Sequence, residues 1–312
     1  MTILVTGAAG FIGSHTVDLL LAQGHDVIGI DNLRSGRLQN LRTAQRSARF
    51  RLVQADVRDA GRVDRIVAES TPRAVIHLAA LVGVQESLAD PALCHAINVQ
   101  GTEIVLGAAR RHGVERLVFA SSAAVYGEPA ALPLAENSPC APLSPYAAAK
   151  LTGEELLLER LSAPGPGVLC LRYFNVYGPR QDPSSPYSGV ISIFERRLAA
   201  REPATIYGDG EQTRDFVFVG DVARVNVLAA TRPEAEAGVF NICTGHATSL
   251  NRLFAALHRH YQDAPAPNHA PARPGDIRHS RGDPGEARKR LQFSAMMDLD
   301  RGLAAFVAQK DG

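Results

Sequence analysis

Short apolar runs alternate with amphipathic stretches through the first half of this chain. Runs at residues 2–6, 26–31, 50–54, 74–78, 116–121 and 167–173 are dense in Val, Ile and Leu. That density predicts strands buried on both faces, as in a parallel sheet. Between them, helical periodicity covers residues 11–23, 60–70, 92–112 and 146–161. Strand–helix–strand alternation calls for right-handed crossovers, and so predicts an α/β fold with a doubly wound parallel sheet.

Past Tyr173 the texture changes. Gly, Pro and Ser cluster at residues 178–186, which reads as a long surface loop. Helices are expected at 191–200 and 221–231, with short extended runs at 205–207 and 216–219. Residues 264–274 hold too many prolines for a helix or a central strand. The pattern predicts a first domain over residues 1–173 and a smaller α/β C-terminal domain over 174–312, closing over the carboxyl edge of the sheet. A segment near 215–245 is free to return to the first domain. No internal repeat is visible.

Composition narrows the partners. Of 312 residues 46% are hydrophobic, enough for an ordinary core, and 33 basic side chains face 32 acidic ones for a net charge of +1. That balance offers no basic stripe for nucleic acid and no acidic tail, so the expected partner is a small molecule held in a cleft. Cys94, Cys140, Cys170 and Cys243 form no C-x-x-C pair and read as reduced thiols. The ten histidines lack metal-ligand spacing; His258 and His260, two apart, would sit on different helix faces, so no metal is expected. The first strand begins almost at Met1 and no apolar run reaches transmembrane length, so the reading is a soluble, cytoplasmic chain with no membrane partner.

Two motifs carry chemistry. Gly7, Gly10 and Gly13 follow the first predicted strand and open the first predicted helix. Glycine permits the tight turn and lets a pyrophosphate approach the main chain, where amide donors and the helix end bind it. The same spacing also occurs in ordinary strand–helix turns. Asp31 ends the second strand, placed to accept from adenosine ribose hydroxyls and to repel a 2′-phosphate. It favours NAD over NADP, with Arg34 and Arg37 as the counter-argument. Further on, Ser122 ends a predicted strand, and Tyr146 and Lys150 lie four apart on one helix face. A tyrosine is a poor base at neutral pH, because its ordinary pKa is about 10. A nearby ammonium and a positive nicotinamide would both favour the phenolate, letting Tyr146 take a hydroxyl proton as hydride leaves the same carbon.

G-x-x-G-x-x-G with Y-x-x-x-K resembles the extended short-chain dehydrogenase/reductases, which are Rossmann-like. Asp31-Asn-Leu, Ile76-His-Leu-Ala-Ala80, Ser121-Ser-Ala-Ala-Val-Tyr-Gly127, Leu171-Arg-Tyr-Phe-Asn175, the run from Gly208 to Asp215 and Arg273-Pro-Gly-Asp276 narrow the resemblance to nucleotide-sugar 4-epimerases. It implies a homodimer whose helices 92–112 and 146–161 pair across a two-fold axis. It also implies a cofactor site of Gly7, Gly10, Phe11, Ile12, Gly13, Asp31, Asn32, Ser35, Gly36, Asp56, Val57, Leu78, Ala79, Ala80, Asn98, Ser121, Tyr146, Lys150 and Phe174. Ser122, Tyr146 and Lys150 would be catalytic. Ser122, Asn175, Val190, Thr205, Tyr207, Arg214, Arg273 and Ser280 would hold a UDP-sugar.

Ala123 and Ala124 stand where related dehydratases and a decarboxylase carry acidic residues, which favours an epimerase. Ser280 is small at a position that limits room beside the sugar C2 substituent, so UDP-GlcNAc and UDP-GalNAc are expected alongside UDP-Glc and UDP-Gal. A UDP-glucuronate 4-epimerase, another nucleotide-sugar enzyme of this fold, and a non-catalytic NAD sensor stay open as alternatives. Val82 in place of a common lysine, and Gly220 in place of a common aspartate, depart from the family pattern.

Overall fold

The computed structural model of the chain describes residues 1–159, 165–181, 189–233, 235–261, 263–272 and 277–308. Its centre is a seven-stranded parallel sheet. In chain order the strands are β1 (Thr2–Thr6), β2 (Asp26–Asp31), β3 (Phe50–Gln54), β4 (Ala74–His77), β5 (Arg116–Ser122) and β6 (Gly167–Tyr173). The six predicted runs are all present, in the spatial order β6-β5-β4-β1-β2-β3. A seventh strand from the second half of the chain, Gly238–Ile242, pairs parallel with β6 and completes the edge. The order reverses between β1 and β4, and ligands of open α/β sheets bind at such a switch point, outside the carboxyl ends of the strands.

Helices cover both faces. Facing one side are α1 (Phe11–Ala22) and, later in the chain, Val219–Thr231; on the other lie α2 (Ala60–Ser70) and the helices between β4 and β6. Alternation along each strand divides the apolar side chains. Ile3 and Val5 join Val17, Leu20, Val118, Val222 and Val225 in one core. Leu4 joins Ile30, Val75, Leu117, Phe119, Val105 and Leu157 in the other. Burying each such side chain contributes about 1.5–3 kcal/mol.

The predicted helix over 92–112 is interrupted. The segment starts earlier, with α3 (Val84–Ala89), then α4 (Pro91–His95), a π turn over Ala96–Gln100 and α5 (Gly101–Arg111). Asp90 explains the break before α4, since its carboxylate accepts the Leu93 amide at 2.9 Å and Pro91 follows as the first helical residue. Helix α6 (Pro145–Leu158) is capped by the Ser144 hydroxyl, which accepts the Ala147 amide at 3.2 Å. Residues 160–161 of the expected helix lie outside the described residues.

The rest of the chain adds β7 (Asn175–Tyr177), α7 (Val190–Ala199), β8 (Thr205–Tyr207), β9 (Thr213–Arg214), β10 (Phe216–Phe218) and α8 (Val219–Thr231). The seventh sheet strand is β11, followed by β12 (Thr248–Ser249), α9 (Leu250–His258), β13 (Asn268–Ala270), α10 (Gly285–Arg290) and α11 (Leu299–Ala308). The short strands form three two-stranded ladders, β7 with β10, β8 with β13, and β9 with β12. Strand β13 lies inside the proline-rich stretch as half of such a ladder. The prolines thus exclude a helix and a central strand but leave room for a short edge pairing. A further apolar core, with Tyr177, Ile191, Phe194, Ile206, Leu253, Leu257, Leu303 and Phe306, holds these elements together. Among the described residues no helix is long and apolar enough to cross a membrane.

Candidate active site

The first glycine turn is packed too tightly for any other residue at two of its positions. Gly7 has φ +69°, and a Cβ there would stand 2.8 Å from the Ala79 nitrogen. A Cβ on Gly13 would come within 2.0 Å of the Gly7 carbonyl oxygen. Glycine at both lets the loop after β4 and the start of α1 close on the turn. The Gly10 amide donates to the Gly7 carbonyl at 3.1 Å, and the first turn of α1 faces a cavity of about 1000 Å³.

Asp31 stands on the wall of that cavity. One carboxylate oxygen accepts the Ala9 amide at 2.9 Å and the other the Leu33 amide at 2.8 Å. Burial raises its pKa, and these two donors oppose the rise. Gly36 packs so closely on the carboxylate that a Cβ there would stand 2.6 Å from it. Ser35 lies beside it on the wall. Asn32 donates to Asp56 at 2.9 Å, and the Arg58 guanidinium on Asp56 holds that carboxyl well below the usual carboxylate range.

The opposite wall is the loop Leu78-Ala79-Ala80. The Thr6 hydroxyl accepts the Leu78 and Ala79 amides, each at 3.2 Å, and the Thr6 carbonyl also accepts the Leu78 amide at 3.2 Å. β4 ends at His77, one residue short of its predicted limit, paired with Thr6, the last residue of β1. Asn98, expected among the cofactor contacts, stands behind the wall instead of on it. Its amide group accepts the Leu81 amide at 2.8 Å and donates to the Leu81 carbonyl at 2.9 Å. The π turn that carries Asn98 turns it toward Leu81, a common use of such turns near functional sites.

Strand β5 and helix α6 bring the chemical groups to the cavity floor. Ser122, Tyr146 and Lys150 line it together, and so do Phe11, Ile12, Val57, Ser121 and Phe174. The Ser122 hydroxyl accepts the Ala124 amide at 3.2 Å and lines the cavity together with Tyr146. The Lys150 ammonium donates to the Ala120 carbonyl at 2.7 Å and lies 4.9 Å over the Phe119 ring. Burial lowers its pKa to about 8. Burial also raises the Tyr146 phenol, with Ser122 as the opposing contact. The expected lowering by Lys150 does not offset this burial in the protein alone. Beneath the floor, Glu154 takes the Ser121 hydroxyl and a bidentate contact from Arg172 at 2.6 and 2.9 Å. Ala123 and Ala124 follow Ser122 and carry no titratable group.

A second cavity, of about 360 Å³, lies beyond β7. Asn175, Val190, Thr205, Tyr207 and Arg214 line it, so five of the expected substrate residues meet in one place. Phe174, just before β7, and Val176 on it line the first cavity, which makes this strand the partition between the two. Ile193, Phe194, Arg197, Gln212 and Leu250 also line the second cavity and were not expected. The apolar face of α7 was the available signal for Ile193, Phe194 and Arg197. Ser280 joins the assembly through its main chain, its amide donating to the Thr213 carbonyl at 3.1 Å beside Arg214. Arg273 lies outside the described residues. Asp215 ties the floor together, accepting the Thr244 and Gly245 amides at 2.9 Å each.

The two departures have distinct settings. Val82 is exposed on the rim of the first cavity. Gly220 packs under the Phe218 ring, where a Cβ would come within 3.0 Å. The next residue, Asp221, accepts the Met296 and Met297 amides at 3.0 Å each.

A doubly wound sheet with a glycine turn at its switch point, Asp31 beside that turn, and Ser122, Tyr146 and Lys150 together on one cavity floor is the arrangement of a nicotinamide-dependent enzyme. Residues 3–243 match the model of the NAD dependent epimerase/dehydratase family, and the chain belongs to that family. It is 42% identical over 308 residues to the UDP-glucose 4-epimerase of Mycolicibacterium smegmatis, covering 98% of this chain and 97% of the relative. Among solved structures, the UDP-glucose 4-epimerase of Thermotoga maritima with UDP-glucose superimposes with a TM-score of 0.93 at 38% identity, covering 100% of this chain and 99% of that one. The UDP-N-acetylglucosamine 4-epimerase of Methanobrevibacter ruminantium, in complex with UDP-N-acetylmuramic acid, does so at 0.92 and 36%, covering 99% and 98%. The cofactor is NAD. The first cavity fits it, with close-packed glycines where a pyrophosphate must approach the main chain and a carboxylate where adenosine ribose hydroxyls need an acceptor.

Proposed function

We propose that this enzyme inverts C4 of UDP-hexoses, interconverting UDP-Glc with UDP-Gal and UDP-GlcNAc with UDP-GalNAc. The observation that carries the reading is the floor of the first cavity. Tyr146 is the acid/base beside Ser122, Lys150 donates to the Ala120 carbonyl, and the two residues after Ser122 are alanines. With one proton-transfer group, the simplest closed cycle removes a proton and a hydride from C4 and later returns both.

In this cycle the Ser122 hydroxyl binds the sugar O4 and aims it at Tyr146. The Tyr146 phenolate takes the O4 proton while the C4 hydrogen leaves as hydride. NAD in this cavity would supply the acceptor for that hydride and its return to the opposite face, and its positive ring would also favour the phenolate. Lys150 supplies the nearest fixed positive charge on α6. Tyr146 then returns its proton to O4. Ala123 and Ala124 offer no second acid for elimination.

The nucleotide end belongs to the second cavity. Arg214 suits the diphosphate, because a guanidinium grips phosphate oxygens in a bidentate way. Asn175 supplies a further polar contact across the β7 partition, and Tyr207, Val190 and Thr205 surround the base. Residues 1–173, with α8 and β11 returned to their sheet, thus carry cofactor and chemistry, and the other elements after residue 173 carry the nucleotide, in a cytoplasmic homodimer. Ser280 leaves room beside C2 for an N-acetyl group. The test is to incubate the protein separately with UDP-Glc, UDP-GlcNAc and UDP-GlcA and to follow C4 inversion by NMR. Inversion of the first two supports the reading, inversion of UDP-GlcA alone selects the uronate enzyme, and no inversion with NAD bound overturns it.

A further inference from the structure

Arg34 entered the sequence argument as a cation near the adenosine ribose. In the structure its guanidinium is engaged elsewhere, in a hydrogen-bonded ion pair with Glu86. Both residues line the first cavity, and both are partly exposed, with 41% and 22% of their side chains accessible, so the pair stands at the rim.

Topology gives the pair its meaning. Arg34 lies in the loop after β2, and Glu86 in the first turn of α3, after β4. In the sheet, β1 lies between β2 and β4. A bond from the β2 loop to the helix after β4 therefore passes over the carboxyl end of β1, where the glycine turn begins. Each end is anchored. The Arg34 amide donates to the Asn32 side chain at 3.0 Å, and Asn32 in turn holds Asp56. Next to Glu86, the buried Ser87 hydroxyl accepts the Tyr146 amide at 3.2 Å, tying α3 to the helix that carries the acid/base.

We propose that Arg34 and Glu86 form a clasp over the pyrophosphate segment of NAD and set how slowly the cofactor leaves. The inference rests on the assignment of NAD to this cavity. A reaction that returns its hydride within every turnover has no need to exchange the cofactor, so a closed rim costs the enzyme nothing. An ion pair this accessible is a modest interaction, and breaking it should speed release by about fivefold rather than by orders of magnitude. Pairing with Glu86 also removes Arg34 as a ready partner for a 2′-phosphate, in line with Asp31.

The test measures release directly. Protein loaded with NAD is mixed with ethanol and excess alcohol dehydrogenase, which reduces each released NAD, and the absorbance at 340 nm is followed without any sugar nucleotide. Arg34→Ala and Glu86→Ala should each release NAD about fivefold faster, and the double variant no faster than either. The reversed pair Arg34→Glu with Glu86→Arg should recover slow release, and added salt should speed the wild type but not the single variants. Arg49→Ala, which breaks an ion pair with Asp26 at the other end of β2, should leave release unchanged. Wild-type rates in both single variants, or a double variant whose acceleration is the product of the two, would overturn the clasp. Acceleration by Arg34→Ala alone would also overturn it, since Arg34 would then act on the cofactor itself. Protein that retains no NAD would overturn the cofactor assignment, a separate result from either of these.

Discussion

Lys150→Met tests the price of the charge that the site keeps buried. Lys150 is 3% exposed, and burial lowers its pKa from an ordinary 10.5 to about 8. The difference corresponds to about 3 kcal/mol of extra free energy for holding the ammonium in the folded protein. The sign follows from proton counting. Between pH 8 and 10.5 the unfolded chain keeps the Lys150 proton while the folded one sheds it, so the wild type gains stability as pH rises through that window. Below pH 8 both states are protonated and the full penalty stands. Methionine is of similar length and uncharged at every pH, but it gives up the 2.7 Å hydrogen bond to Ala120, worth about 1 kcal/mol. The variant should therefore be about 2 kcal/mol more stable than the wild type at pH 7, despite losing activity. That advantage should shrink by about 3 kcal/mol by pH 10.5. Urea unfolding of the NAD-free proteins at unit steps of pH from 7 to 10 measures it. A variant less stable at pH 7, or a difference that does not change with pH, would refute the reasoning.

Tyr146→Phe should bind NAD normally but lower kcat for C4 inversion by about 10²–10⁴-fold, measured by NMR on UDP-Glc; near-normal turnover would remove Tyr146 from the mechanism. Gly13→Ala places a Cβ 2.0 Å from the Gly7 carbonyl and should lose about 3 kcal/mol and its bound NAD, read by thermal melting and cofactor content. An unchanged Tm would show that the turn has room the packing denies. Ser280→Tyr should depress turnover of UDP-GlcNAc and UDP-GalNAc much more than that of UDP-Glc and UDP-Gal, and equal losses on both pairs would count against its role. Asp31→Asn should narrow the preference for NAD over NADP in equilibrium binding, while a wild type that binds NADPH more than tenfold tighter than NADH would contradict the role given to Asp31.

The strands of the sheet were readable in advance because each is buried on both faces, so its apolar run is continuous and local. β2, β3 and β6 appear with their predicted limits. Strand ends were less readable. β4 stops at His77, paired with Thr6, the last residue of a neighbouring strand seventy-one residues away in sequence. The helix over 92–112 was read as one element because its apolar period barely falters; Asp90 and Pro91 mark its start, but nothing local announces the π turn. The role of Asn98 followed the same rule. The resemblance put Asn98 among the cofactor contacts, and in the fold its side chain bonds to the Leu81 main chain.

The sequence by itself determined the doubly wound sheet, the glycine turn with Asp31 at its switch point, and the Ser122, Tyr146 and Lys150 set. All are local patterns: a period of apolar side chains, a spacing on a helix, a residue type at a strand end. Tertiary structure decided the quantities that depend on neighbours distant in sequence. It decided that Lys150 donates to the Ala120 carbonyl and that burial raises the Tyr146 phenol. It grouped Gln212 and Leu250 with Arg214, and it paired Arg34 with Glu86 across β1. Packing density and dielectric belong to the folded assembly, so charge, proton affinity and enclosure could be read only there.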